Sequence, residues 1–296
     1  MSTNRVKLSY FNYLFSNTTN TPISLSKYYK NANSLYTVNI GVFPNINSQF
    51  KFSYLHQAVN LNYINNISNS VYIYNNTSAL TYIVFDNNIS CKILMVGGGG
   101  GARGNNGQYN WTGAGGGGFV YYNENYVFTK GIYKITVGSG SYSTGNPTHI
   151  LLPPLNDNYV LYTSGGGFGI ELNINNYTNY GGNSGYKTNN NQLITYSGGA
   201  GNYPYPIIYF GGGAGATQSG SGINGGNGYL SDITGTNDVY GAGGRGAYIQ
   251  SGNSANNGQG SYGSYGSGLY GLGGSSPISF YASSSGNGGC VIIRII

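Results

Sequence analysis

The sequence predicts a mostly β protein in which short strands bracket a sheaf of extended glycine-rich rods, and three observations lead there. Of 53 glycines only Gly41 precedes position 97, so side-chain-free backbone is concentrated in the later part of the 296-residue chain. Stretches such as 71–74 (VYIY) and 80–85 (LTYIVF) place aromatic and β-branched residues in the alternation that suits a half-buried pleat. Helical periodicity is weak throughout, and 32 tyrosines supply much of the hydrophobic content, which leaves a small aliphatic core.

The glycine shift sets an expected boundary at residue 90. Residues 1–90 read as a small β-rich region. Residues 91–296 divide into a β framework over 91–165, a rod array over 165–289 and a closing strand over 290–296. Within the framework, 91–96 (CKILMV) delivers the chain into the glycine run 97–101, and a second run, 115–118, leads into 119–122 (FVYY). Residues 131–138 (GIYKITVG) alternate Ile132, Lys134 and Thr136 against Tyr133, Ile135 and Val137, as a half-buried strand does. Tyr180, Phe210, Tyr240 and Tyr270 recur every thirty residues, each followed by glycine, with further glycine pairs roughly midway between them. A fixed period signals stacked equivalent elements rather than a random linker.

Elementary physics says what such rods can do. A glycine run has no side chains to bury, and ordering each residue costs about 1–2 kcal/mol, so hydrophobic collapse cannot fix it. A polyproline II-like rod, three residues per turn, directs its N–H and C=O groups outward. Where glycine is frequent, neighbouring rods approach closely enough to satisfy those groups mutually. The strict G-X-Y phase of collagen is absent, which argues against a triple helix.

Composition also excludes function classes. The acids number six (Asp86, Glu124, Asp157, Glu171, Asp232, Asp238) and the histidines two (His56, His149), scant material for acid/base or metal chemistry. The expectation is a non-enzymatic protein with no catalytic residues, no metal and no cofactor. Asp232 and Asp238 read as part of a polar turn, since Leu230 stands where a glycine-repeat calcium site needs aspartate. His56 and His149 read as structural. The net charge of +6 comes from 12 Lys and Arg scattered singly, without the stripe that tracks phosphates, so nucleic acid is not an expected partner. Apolar runs such as 93–96 fall far short of the roughly 20 residues of a membrane helix, and residues 1–20 lack a continuous apolar stretch, so neither membrane insertion nor a signal peptide is expected. Cys91 and Cys290 begin the first and last strands of the bracket. Antiparallel pairing of those strands leaves open both a disulfide and two buried free thiols.

The succession 93–101 (ILMVGGGGG), 115–121 (GGGGFVY), 131–138 (GIYKITVG) and 286–294 (GNGGCVIIR) resembles the glycine-rich domain of phage tail-fibre and large DNA virus virion proteins. A similar module occurs in the ectodomains of the anaplastic lymphoma and leukocyte tyrosine kinase receptors. The resemblance implies a β-sandwich-framed bundle of polyglycine II helices over residues 91–296. Residues 21–29 (TPISLSKYY), echoed at 50–54 (FKFSY), resemble the anchor repeats that precede such domains in viral proteins, which implies that residues 1–90 attach the chain to a particle. The function so implied is a capsid- or fibre-associated virion component, displayed at the particle surface and used in host attachment. Its implied partners are other capsid or fibre proteins and a host-surface glycan, with a homotrimer as the implied assembly. Tyrosine, serine, asparagine and glycine make adaptable recognition surfaces, and Tyr203, Tyr205, Tyr262, Tyr265 and Tyr281 fall between rods, where such contact is expected. Two alternatives stay open: an architectural cement or minor capsid protein, and a low-complexity RNA-binding protein, which the tract 258–266 and the steps Arg103-Gly104 and Arg245-Gly246 evoke.

Overall fold

The structure is a computed structural model that describes residues 61–64, 67–102, 112–152, 159–173, 178–187, 192–202, 207–250, 258–259, 261–263, 270–276 and 284–296. Among them the regular elements are all strands. In chain order these begin with β1 (Leu61–Tyr63), β2 (Val71–Tyr74), β3 (Thr81–Phe85), β4 (Ile89–Val96), β5 (Val120–Phe128), β6 (Gly131–Thr136), β7 (Thr148–Leu151) and β8 (Tyr159–Thr163). Short strands follow: β9 (Ile170–Asn173), β10 (Thr178–Tyr180), β11 (Ser184–Lys187), β12 (Leu193–Tyr196), β13 (Ala200–Asn202) and β14 (Ile207–Phe210). The last are β15 (Tyr229–Ser231), β16 (Asp238–Tyr240), β17 (Ala247–Gln250), β18 (Gly258–Gln259) and β19 (Cys290–Ile295). The mostly β expectation holds.

Two sheets form a sandwich. One runs β1-β3-β6-β7-β8 and the other β12-β11-β5-β4-β19-β2. Alternation aims one face of each strand inward, so Ile83, Phe85, Tyr133, Ile135 and Ile150 from the first sheet meet Cys91, Ile93, Met95, Phe128, Val291 and Ile293 from the second. Phe85 stacks on Phe128 at 4.6 Å between ring centroids, and Tyr133 meets both rings edge-on. The predicted alternation of β6 is seen in the inward Tyr133, Ile135 and Val137. The second sheet is covered on its other face as well, where Leu94, Val96, Val120, Cys290 and Ile292 pack with Ala216, Ile233 and Tyr240. Burial on both faces explains the unbroken apolar run ILMV in β4.

The expected boundary at residue 90 falls inside this unit. β3 pairs antiparallel with β6, and β2 pairs with β19, joining residues 71–74 to 291–294. Glycine content misplaced the boundary because β2 and β3 carry ordinary apolar side chains and find their partners only at long range. Residues 1–60, with the proposed anchor motifs, lie outside the described residues.

Between and beside the sheets, the glycine segments are bonded with a three-residue period. Gly97 and Gly100 donate their N–H to the carbonyls of Phe119 and Gly116, Gly98 and Gly101 to those of Asn146 and Ser143, and Gly99 and Ala102 to those of Asn287 and Ser284. Residues three apart thus reach the same neighbour. The segment 113–119 repeats the pattern: Ala114 and Gly117 donate to Gly211 and Ala214, Gly115 and Gly118 to Gly274 and Gly271, Gly116 and Phe119 to Gly167 and Ser164. Its carbonyls in turn accept from Gly182, Gly244, Gly100 and Gly97. This segment therefore has three donor-side neighbours and three others on its acceptor side, reached through main-chain bonds.

The thirty-residue repeat also has a structural meaning. Tyr180, Phe210 and Tyr240 end β10, β14 and β16, and each passes the chain directly to a bonded glycine. Gly241 and Gly271 take φ +66, the left-handed turn that glycine adopts without strain, so the later two steps bend where the earlier two do not. Asn179 contributes what a backbone otherwise supplies. Buried on β10, it donates Nδ2–H to the Tyr209 carbonyl at 2.8 Å and accepts the Gly211 N–H on Oδ1 at 2.8 Å.

Close approach fixes the glycines sterically. A Cβ on Gly115 would lie 1.9 Å from the Gly100 carbonyl oxygen, whereas one on Gly131 would meet nothing nearer than the Leu152 Cδ1 at 3.5 Å. Gly115→Ala is expected to cost about 3 kcal/mol or more, at the top of the overpacking range. Gly131→Ala is expected to be neutral or to stabilise by up to about 1 kcal/mol. Equal denaturation midpoints for the two variants would contradict the lattice. Asn179→Ala is expected to cost about 1–3 kcal/mol by urea titration, because it strands a buried amide and a carbonyl.

Candidate functional site

Of the five tyrosines expected at the rod ends, Tyr203, Tyr205, Tyr265 and Tyr281 lie outside the described residues. Tyr262 is described, and it is held rather than pendant. The Gly225 N–H donates to the Ser261 carbonyl, and Asn224 Oδ1 accepts from both the amide and the hydroxyl of Ser261, at 2.9 and 3.0 Å. On the other side the Gly263 N–H donates to the Gly243 carbonyl. The half-buried Tyr262 ring carries the Arg245 guanidinium over its face, 4.8 Å from the centroid, and its hydroxyl hydrogen-bonds Ser275 Oγ. A cation seated on an aromatic face at a partly desolvated site contributes about 0.5–2 kcal/mol. Arg245 Nε is buried without a hydrogen-bond partner, and the Tyr262 ring face lies against the same guanidinium. The sequence shows Arg245 only as an Arg-Gly step; its place over Tyr262 depends on which rods are neighbours, which no local pattern records.

The two cysteines do not pair. Their strands are antiparallel neighbours as expected, but the register sets Cys290 opposite Val96 and Cys91 opposite Ile295. The thiols also face opposite sides of the sheet, Cys91 into the sandwich core and Cys290 into the second cluster with Tyr240. Both are free and buried. Burial pushes the Cys91 thiol up to about 12 and the Cys290 thiol higher still.

His149 sits on β7, and burial, with Lys134 on the adjacent strand as a second cause, lowers its pKa and favours the neutral ring. His56 lies outside the described residues. Asp232 and Asp238 flank the turn of the β15–β16 hairpin, where Asp238 Oδ2 accepts from the Thr236 and Thr234 hydroxyls at 3.2 and 3.4 Å. Among the described residues no three His, Cys, Asp or Glu side chains converge as a metal site would require.

The order of these elements can be compared with known families. The family profile of the glycine-rich domain matches residues 75–296. The chain belongs to the glycine-rich domain family. Among curated proteins none matches it. The glycine-rich domain as matched begins directly after β2 and ends with β19, so it includes β3, which the composition boundary had left out.

The thiol arrangement generates a prediction. The native chain is expected to keep both thiols unreactive toward a thiol-specific reagent at pH 8 and to titrate two on unfolding. An intact mass two hydrogen atoms short of the reduced chain would overturn it. The folded Cys91 pKa is raised above its ordinary 9.0. Its stabilising effect is therefore full below pH 9 and is lost as pH climbs toward 12, with Tyr229, pushed up to about 12 chiefly by burial, acting in the same direction. Thermal midpoints are expected to be flat from pH 7 to 9 and to fall above that.

Proposed function

We propose that this chain is a non-enzymatic structural component of a virus particle, associated with a capsid or fibre and displayed at the surface, where its rod-end tyrosines contact a host glycan. The observation that carries the reading is the three-residue bonding period in which one glycine segment serves neighbours on all sides. That period matches the three residues per turn of polyglycine II, and the reading is of a bundle of such rods, a stiff body held by its own main chain. The bundle's edges are free to carry Tyr, Asn and Ser, the residue types that make adaptable contact surfaces. Residues 1–60, ahead of the first strand of the sandwich, are the proposed attachment to neighbouring capsid or fibre proteins, with a homotrimer as the proposed assembly.

Fixing Tyr262 between pinned residues, as the structure does, supports a rigid contact element, since a ring already immobilised loses little entropy on binding. An architectural cement role uses the same stiff body with every face covered. Gold-labelled antibody against the full chain, applied to intact particles purified from the source, decides between them: surface label is expected. Label seen only after disruption favours the cement role, and absence of the chain from purified particles overturns the proposal. Salt-sensitive retention of RNA by the full chain would instead support the nucleic-acid reading.

A further inference from the structure

The exposed end of the second sheet's outer face carries an aromatic cluster away from the rod-end tyrosines. Tyr122 on β5, Tyr186 on β11 and Tyr229 on β15 lean together, with Tyr229 5.7 Å from Tyr122 and 6.1 Å from Tyr186 between centroids and both pairs tilted by 46°. Each ring is half-buried, with one flank against the cluster of Leu94, Val120 and Ile292 and the rest open. The exposed Glu124 carboxylate, two residues on along β5, and the exposed Asp232, next after Ser231 of β15, lie close enough to act electrostatically on the Tyr122 phenol. Lys92 and Arg294 stand opposite each other in the register of β4 and β19. The Arg294 guanidinium donates to the Asp232 carbonyl at 3.4 Å and to Asn69 Oδ1 at 3.3 Å. Four of the chain's 18 charged side chains thus gather around one angled aromatic surface, two of each sign.

The geometry points to a binding site for a neutral pyranose unit of an oligosaccharide, held on the faces of Tyr122, Tyr186 and Tyr229 with its hydroxyls on Glu124 and Asp232. A pyranose offers C–H faces that stack on aromatic rings and hydroxyl edges that donate to carboxylates, the two kinds of surface present here. Charge selects the neutral class. The two carboxylates repel an acidic sugar, while Lys92 and Arg294 offset them and remove the net negative field that would draw a basic peptide. Core packing alone accounts for the buried flanks of the rings. It does not account for two exposed carboxylates, Glu124 and Asp232, set beside the open edge of the same ring cluster.

This inference does not depend on the particle reading, since it concerns what the face holds rather than where the chain resides. The test is retention of the full chain on an array of neutral oligosaccharides, sialylated oligosaccharides and basic peptides, followed by saturation-transfer NMR with the best neutral binder. Binding to neutral sugars is expected, with Glu124→Gln and Tyr186→Ala each weakening it tenfold or more. Glu124 is exposed, so Glu124→Gln is expected to keep the parent thermal midpoint. Tyr142→Ala, at an exposed tyrosine outside the cluster, is expected to bind as the parent does. No retention of neutral sugars, retention of sialylated sugars or basic peptides alone, or undiminished binding by Glu124→Gln and Tyr186→Ala together would overturn it.

Discussion

Main-chain hydrogen bonding between glycine segments is the constraint on which everything else in this molecule rests. Each N–H···O=C bond contributes only about 1 kcal/mol net, and each ordered residue costs as much or more, so the lattice holds only if almost every amide finds a carbonyl. The spacing that permits this leaves no room for a Cβ: at Gly115, Gly165, Gly169, Gly211 and Gly263 an added carbon would sit within 2 Å of a carbonyl oxygen. The glycines are therefore the packing surface itself. Where the lattice does tolerate a methyl group, at Ala102, Ala114, Ala214, Ala216 and Ala242, the residue is buried and no larger side chain is used.

The sandwich solves a problem that the lattice cannot. Rods bonded only to each other have no signal fixing which neighbours they choose, because every backbone presents the same groups. The strands supply that signal through shape. The Phe85–Phe128–Tyr133 cluster fixes β5 against β3 and β6 of the facing sheet, and the β4–β5 ladder, closing with Val96 opposite Val120, sets the two glycine runs 97–101 and 113–118 side by side. The Gly97–Phe119 bond is the first lattice contact beyond the β4–β5 ladder. Thr148 extends the coupling, accepting the Gly138 N–H and donating to the Val96 carbonyl at 2.6 Å where strand becomes rod. Aliphatic packing thus sets the register, and the backbone propagates it.

Much of the fold was legible in the sequence, for physical reasons that also mark the limits. The alternation in β6, the apolar run of β4, the closing strand and the thirty-residue aromatic-glycine step all record local burial, and local burial writes a local pattern. Pairing does not. β2 joins β19 across most of the chain, so the composition boundary cut through a sheet. The antiparallel pairing of the cysteine strands was readable, but the register that separates the thiols was not, because it is set by packing on both faces of β4. Asn179 went unnoticed among 42 asparagines, since its role as a surrogate peptide group depends on β10 lying beside Tyr209 and Gly211. The Tyr122–Tyr186–Tyr229 cluster is similarly assembled from three distant strands, and the only local hint is the spacing of Tyr122 and Glu124 on one face of β5.

The position of β19 has a kinetic consequence. This strand lies between β4 and β2, one in from the edge of its sheet, although it is the last element described and its partners were synthesised long before it. Until it arrives, β4 presents an unpaired, strongly apolar edge and the neighbouring glycine segments lack the carbonyls of 284–288. Nascent chains must therefore persist in an open form while translation continues, and so many distant pairings make closure slow. Such a chain is exposed to edge-to-edge association for as long as its last strand is missing.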